Sequence, residues 1–178
     1  PAFRVSLPVL TENIWSRGGL ATRADQPPRQ PSARDTLALE VQETALLREP
    51  PKARDAVAQM QAIGVSVTVV DFGLGLLSLP QLQRLLPWRV KIHKSFVQHV
   101  AQDRERSAIA RSIIALAHTL GLIVIADGII GEQDLQFLKW ESCDVGQGDL
   151  LVKPLAIAEV GAALLGDSAP ANWIVRLH

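Results

Sequence analysis

Gly64-Val65-Ser66-Val67-Thr68-Val69-Val70-Asp71-Phe72-Gly73-Leu74-Gly75 decides how this chain is read, because a nearly unbroken apolar run there meets an acid and two glycines. Val65, Val67, Val69 and Val70 are β-branched and suit a strand buried on both faces, as parallel strands under helices are. Asp71 is the first charge, placed where the run ends. Gly73 and Gly75 tolerate a positive φ or close approach of the backbone to a ligand. A buried strand that empties into a polar, glycine-rich turn is a candidate site for chemistry.

The flanking sequence alternates strand and helix. Upstream, Phe3–Leu7 and Thr36–Gln42 read as strands, the second carrying Glu40 and Glu43 at its exit. A helix is expected around Leu10–Trp15, and Gly18–Arg34 has no periodicity and reads as a long irregular loop. Pro50 and Pro51 open a helix with Ala53, Ala56, Val57, Met60 and Ile63 inward and Gly64 as its cap. Downstream come a helix over Leu79–Leu86, a strand over Arg89–His93, a helix over Arg104–Leu120 capped by Gly121, and a strand over Leu122–Ala126. Gly131–Trp140 is a helix, Cys143–Val145 a short strand, and Ala156–Leu165 the final helix.

Six strands in this order predict an α/β fold with a parallel sheet and right-handed crossovers. Nearly every strand delivers a polar side chain at its C-terminal end: Glu40, Asp71, Lys91 with His93, Asp127 and Gln147. An open doubly wound sheet and a closed barrel share this alternation, and the polar strand ends favour the barrel, whose active sites are assembled from several strand ends around one rim. Six strands do not close a barrel of eight, so the expectation is that two are missing and that the chain begins in mid-fold.

Composition excludes several classes. In 178 residues, 18 Lys plus Arg balance 18 Asp plus Glu, which leaves no footprint for nucleic acid or an anionic membrane surface. The apolar run Ile113–Ala126 is interrupted by His118, Thr119 and Gly121 and is too short to span a bilayer. No signal peptide is legible, and Cys143 is the single cysteine, so a reducing cytoplasm is expected. Cys143 reads as a small buried hydrophobe and His118 as an end-of-helix residue. Leu74, Leu76 and Leu77 read as either a buried loop or a hydrophobic contact surface, and Trp88, Trp140 and Trp173 as either core or anchors toward a protein partner or a second copy of the chain. Asp71-Phe72-Gly73 lacks the accompanying motifs of a kinase metal loop, and Gly73-Leu74-Gly75 lacks the third glycine of a dinucleotide fingerprint.

Five blocks together carry a resemblance. Val70-Asp71-Phe72-Gly73-Leu74-Gly75, Lys91-Ile92-His93-Lys94-Ser95-Phe96-Val97, Ala115-Leu116-Ala117-His118-Thr119-Leu120-Gly121, Ile125-Ala126-Asp127-Gly128 and Gln147-Gly148-Asp149-Leu150-Leu151-Val152-Lys153-Pro154-Leu155 come in the order and spacing of the bacterial EAL domain. That family comprises cyclic di-GMP phosphodiesterases and inactive relatives. The resemblance runs from Phe3 to Leu165, through what would be the third to eighth strands of an EAL-type (β/α)8 TIM-like barrel. It divides the chain into a degenerate EAL domain over residues 1–166 and a tail over 167–178.

The resemblance implies two ions, Mg2+ or Mn2+, at the barrel rim that activate water against a phosphodiester bond. Carried over by position, the family's asparagine ligand falls on Ser6, its fourth-strand glutamate on Glu40, and its paired aspartates on Val70 and Asp71. The sixth-strand lysine is Lys91, and the aspartate two residues on is His93. Glu-Gly-Val-Glu becomes Asp127-Gly128-Ile129-Ile130, which puts isoleucine where the resemblance expects a loop-stabilising acid. Gln147 is kept. Glu40, Asp71 and Asp127 are thus the remnants of a metal site, and Glu40, Lys91 and Gln147 the relics of catalysis. His93 reads as hydrogen-bonded structure rather than a ligand, since imidazole prefers softer metals. The resulting expectation is a catalytically inactive domain without a metal cofactor, Mg2+ or Mn2+ entering only with residual phosphodiesterase activity. It would serve as a cyclic di-GMP receptor contacting the nucleotide through Asp71, Asp127, Gln147 and Pro154. The alternatives are a scaffold that no longer binds nucleotide, and an active phosphodiesterase.

Overall fold

A computed structural model of the chain describes residues 5–8, 37–75, 77–85, 87, 89–151 and 175–177. The expected helices at Leu10–Trp15 and Ala156–Leu165, the loop at Gly18–Arg34, Leu76, Trp88, Pro154 and Trp173 lie outside the described residues. Two compact units, Pro1–Val90 and Lys91–His178, divide the chain.

In the first unit, β1 (Val5–Pro8), β2 (Leu37–Gln42) and β3 (Ser66–Phe72) form consecutive parallel pairs. Between β2 and β3 stand α1 (Glu43–Arg48) and α2 (Pro50–Ala62). Proline occupies the first turn of α2, where its missing N–H costs nothing. Ala53, Ala56, Val57 and Met60 are buried along it as the period requires, whereas Ile63 falls just past its end and is half-buried. Gly64 takes φ +83 behind the helix. Val41, Val67 and Val69 are nearly inaccessible, and α2 packs on β3. α3 (Leu79–Leu85) completes the unit, opened by Ser78, whose N–H and hydroxyl both reach Gln81 Oε1.

The second unit begins within β4 (Arg89–Ile92), followed by α4 (Lys94–Val97), α5 (Arg104–Thr119), β5 (Ile123–Asp127), α6 (Glu132–Trp140) and β6 (Val145–Gln147). Asp103 caps α5 by accepting from the N–H of Glu105 at 2.9 Å and of Arg106 at 3.1 Å. β5 and β6 are parallel. A seventh strand, β7 (Val175–Arg176), runs antiparallel to β6 and lies in what the sequence reads as a tail. No helix among the described residues is long and apolar enough to cross a membrane.

Candidate functional site

In the first unit, strand register gathers the polar residues. Side chains alternate between faces along a strand, and Ser6 sits beside Ala38, Pro8 beside Glu40, Glu40 beside Thr68, and Gln42 beside Val70. Ser6, Glu40, Gln42, Thr68 and Val70 therefore share one face, and the buried valines share the other. Thr68 is 1% exposed and its Oγ1 has no hydrogen-bond partner. Val70, half-buried, ends this face with hydrocarbon where the resemblance asks for a carboxylate.

Asp71 does not open a loop, as its sequence position suggests, but lies inside β3, which continues to Phe72. Its φ of +58 breaks the strand's alternation at the acid, and its carboxylate accepts from Gln42 Nε2 at 3.2 Å. The turn beyond is held by a residue that sequence reasoning placed only at a strand exit. Glu43 starts α1, is 3% exposed, and accepts from the N–H of Gly75 at 3.0 Å and of Leu77 at 2.9 Å. Carboxylate acceptors make such bonds stronger than neutral ones. A Cβ on Gly75 would lie 2.5 Å from Glu43 Cδ, so any other residue there would push the carboxylate out of this position. The acid expected at position 130 is replaced by an exposed isoleucine, while the acid that holds the turn after Asp71 is Glu43. The signal available in sequence was the turn itself: its N–H groups need an acceptor, and a glycine admits one.

In the second unit, Asp127 and Gln147 are register partners at the ends of β5 and β6. Both are half-buried, on strands about 4.8 Å apart with their side chains on one face. The segments that follow are laced through backbone: Ile129 N–H donates to the Gln147 carbonyl at 3.0 Å, and Leu150 N–H to the Ile129 carbonyl at 3.2 Å. Gly148 lies so close that a Cβ would stand 2.3 Å from the nitrogen and oxygen of Ile129.

Lys91 is 7% exposed on β4. His93 caps α4: its Nδ1 accepts from Ser95 N–H at 3.2 Å and meets Ser95 Oγ at 2.9 Å. An Nδ1 that accepts a backbone proton leaves the ring's own proton on Nε2, and the contact matches the hydrogen-bonded role expected of a histidine near a strand end. His118 pairs with Asp144 at 2.9 Å, and the same oxygen accepts from Val124 N–H at 2.8 Å. Cys143 is fully buried, and burial pushes its thiol up to about 12. Among the described residues, no three of His, Cys, Asp and Glu cluster in a way that could hold a metal ion.

Helix-covered parallel strands with polar ends occur in open sheets and barrels alike, and likeness decides for the barrel: the solved PaMucR phosphodiesterase in its c-di-GMP complex superposes with a TM-score of 0.78 at 28% identity, covering 88% of this chain and 64% of that one. The family model of the EAL domain matches residues 3–154, and the chain belongs to that family. It is 34% identical over 128 residues to the bifunctional diguanylate cyclase/cyclic di-GMP phosphodiesterase MucR of Pseudomonas aeruginosa, covering 72% of this chain and 19% of MucR. It is 35% identical over 137 residues to the cyclic di-GMP phosphodiesterase NbdA of the same organism, covering 75% of this chain and 18% of NbdA. The chain thus spans under a fifth of these relatives' length.

Proposed function

We propose that this EAL domain has given up hydrolysis and acts as a cyclic di-GMP receptor or regulatory module. Position 70 carries the reading: valine closes the face that bears Glu40 and Thr68, and hydrocarbon offers an ion nothing. Two-ion hydrolysis needs hard oxygen donors around both metals. Glu40, Asp71 and Asp127 are the acids at the family's positions, Ser6 offers only a hydroxyl, and His93 spends Nδ1 on Ser95. That set does not fit two ions of Mg2+ or Mn2+.

Nucleotide recognition falls in this reading to Asp71, Asp127, Gln147 and Pro154, and the likeness to MucR and NbdA supports cyclic di-GMP as the ligand. The domain proper is assigned to residues 1–166, with β7 returning from the 167–178 segment onto β6. Such a role places it in the cytoplasm. Leu74, 55% exposed just past Asp71, favours a second reading in which a protein partner or a second copy of the chain docks there. Calorimetry with cyclic di-GMP tests the receptor: saturable binding at micromolar concentration supports it, and silence leaves the scaffold. Linear pGpG appearing on chromatography after long incubation with Mg2+ or Mn2+ would overturn the donor argument.

A further inference from the structure

The largest exposed apolar residue among those described is Trp140, at the end of α6 and 83% exposed. Tryptophan is highly buried on average, and where it is exposed it is enriched at interfaces. With Ala101, Glu132, Gln133, Gln136 and Phe137, Trp140 lines an open cleft of about 370 Å3. Positions 133, 136, 137 and 140 follow helical spacing and form one stripe of α6. The lining holds an acid and no base. Asp134, the other acid of the first turn, is 3% exposed and accepts from the N–H of His99 at 3.1 Å and of Ala101 at 3.3 Å. Glu132 is left as the first-turn carboxylate that faces solvent.

The same helix already receives one cation in this manner. The Arg111 guanidinium lies 5.9 Å over the Phe137 ring and bonds Glu141 at 2.8 Å, so an aromatic and a carboxylate share it. Trp140 is the better cation–π partner of the two rings, and its ring is open. We propose that the α6 face centred on Trp140 docks a segment of a partner protein that presents basic side chains among aliphatic ones. The aliphatic groups cover the indole, and the basic groups reach Glu132 and the π face. Arg111 beside Phe137 is already paired with Glu141, so the charge left over in the lining is that of Glu132, which favours this occupant over an acidic one.

The test is amide-resolved NMR titration of the isotopically labelled chain with an acetylated, amidated Leu-Arg-Ala-Leu-Arg peptide and with its Leu-Glu-Ala-Leu-Glu counterpart. Saturable shifts at Gln133, Gln136 and the Trp140 indole with the basic peptide alone support the proposal. Trp140→Gln then weakens binding about tenfold, in the range of an aromatic hot spot, and Glu132→Lys about threefold, as a partly screened ion pair would. Both positions are exposed, so both variants fold. The proposal is overturned by absence of saturable shifts, by an equal response to the acidic peptide, or by unchanged affinity in Trp140→Gln. Self-association lost in Trp140→Gln would likewise overturn it, in favour of a second copy of the chain.

Discussion

The strand ends of the two units keep their shape by different means. After β3, the turn depends on one side chain: Glu43 holds the N–H groups of Gly75 and Leu77. After β5 and β6, the segments hold each other through backbone, with Ile129 bonded to Gln147 and Leu150. The polar ends differ in the same sense. The first unit has exchanged an expected acid for Val70, while the second still sets Asp127 beside Gln147 in register. A turn held from outside by Glu43 keeps its shape whatever stands at position 70, so side-chain chemistry can be lost there without loss of scaffold. A rim built from backbone constrains sequence at its glycines instead.

That contrast is broken most severely at Gly148. Its φ is +154, and any Cβ meets the Ile129 backbone at 2.3 Å. Neither partner is a flexible side-chain end, so Gly148→Ala should cost about 4 kcal/mol or more, a large share of a domain's stability. Urea denaturation checks this, and a loss below 1 kcal/mol would mean the lacing is dispensable. Glu43→Ala comes next, stranding two N–H groups that a buried carboxylate had satisfied, at about 3 kcal/mol. Glu43→Gln keeps one acceptor and should recover about half. Hydrogen exchange should report the loss at Gly75 and Leu77 before the rest of the unit opens.

Most elements were legible because their signals are local. The valine run gave β3, the 3.6-residue period gave α2 and α5, and Gly64 and Gly121 adopt the positive φ expected of caps, at +83 and +73. The misses are nonlocal or short. α1 has only six residues, and Glu43 reads as a strand-exit acid until the turn it serves, 32 residues on, is placed against it. β6 lies two residues beyond the expected Cys143–Val145, because its apolar content is too brief to fix a register. β7 is two residues long and exists through pairing with β6 alone, so no periodicity could announce it. At the site, His93 was legible as hydrogen-bonded structure from its place at a strand end, but its partner Ser95 was not. Asp127 beside Gln147 required strand register, which sequence order suggests and only pairing fixes.

The second unit's closure is tested through Cys143, with an effect confined to alkaline pH. Its Sγ faces the carbonyls of Val124 and Val145 at 3.6 and 3.5 Å, and burial raises the thiol from 9.0 to about 12. The unfolded chain releases this proton above pH 9 while the folded chain retains it, so the unfolded state binds fewer protons and stability falls as pH rises. The slope from this one group is about 1.4 kcal/mol per pH unit between pH 9 and 12. Cys143→Ala should remove that component of the alkaline loss. In the native state at pH 8, a thiol reagent should modify Cys143 only at the rate of opening; fast modification would show that the laced rim is not closed.

The smallest effect sharpens the contrast from the other side. Thr68 buries a hydroxyl without a partner on the face that carries Glu40 and ends in Val70. An unsatisfied buried hydroxyl is destabilising, and valine has nearly the same shape without it. Thr68→Val should therefore stabilise the chain by about 1 kcal/mol, read as a rise in the urea midpoint at constant slope. A gain with cyclic di-GMP affinity unchanged means the polar face of the first unit has lost its use, as the valine at position 70 suggests. A gain accompanied by weaker binding means the hydroxyl is retained for the ligand, because a protein keeps a costly group where function uses it. If Thr68→Val instead destabilises, the hydroxyl has a partner in solution, and the first unit's polar face is more fully built than its strand register alone implies.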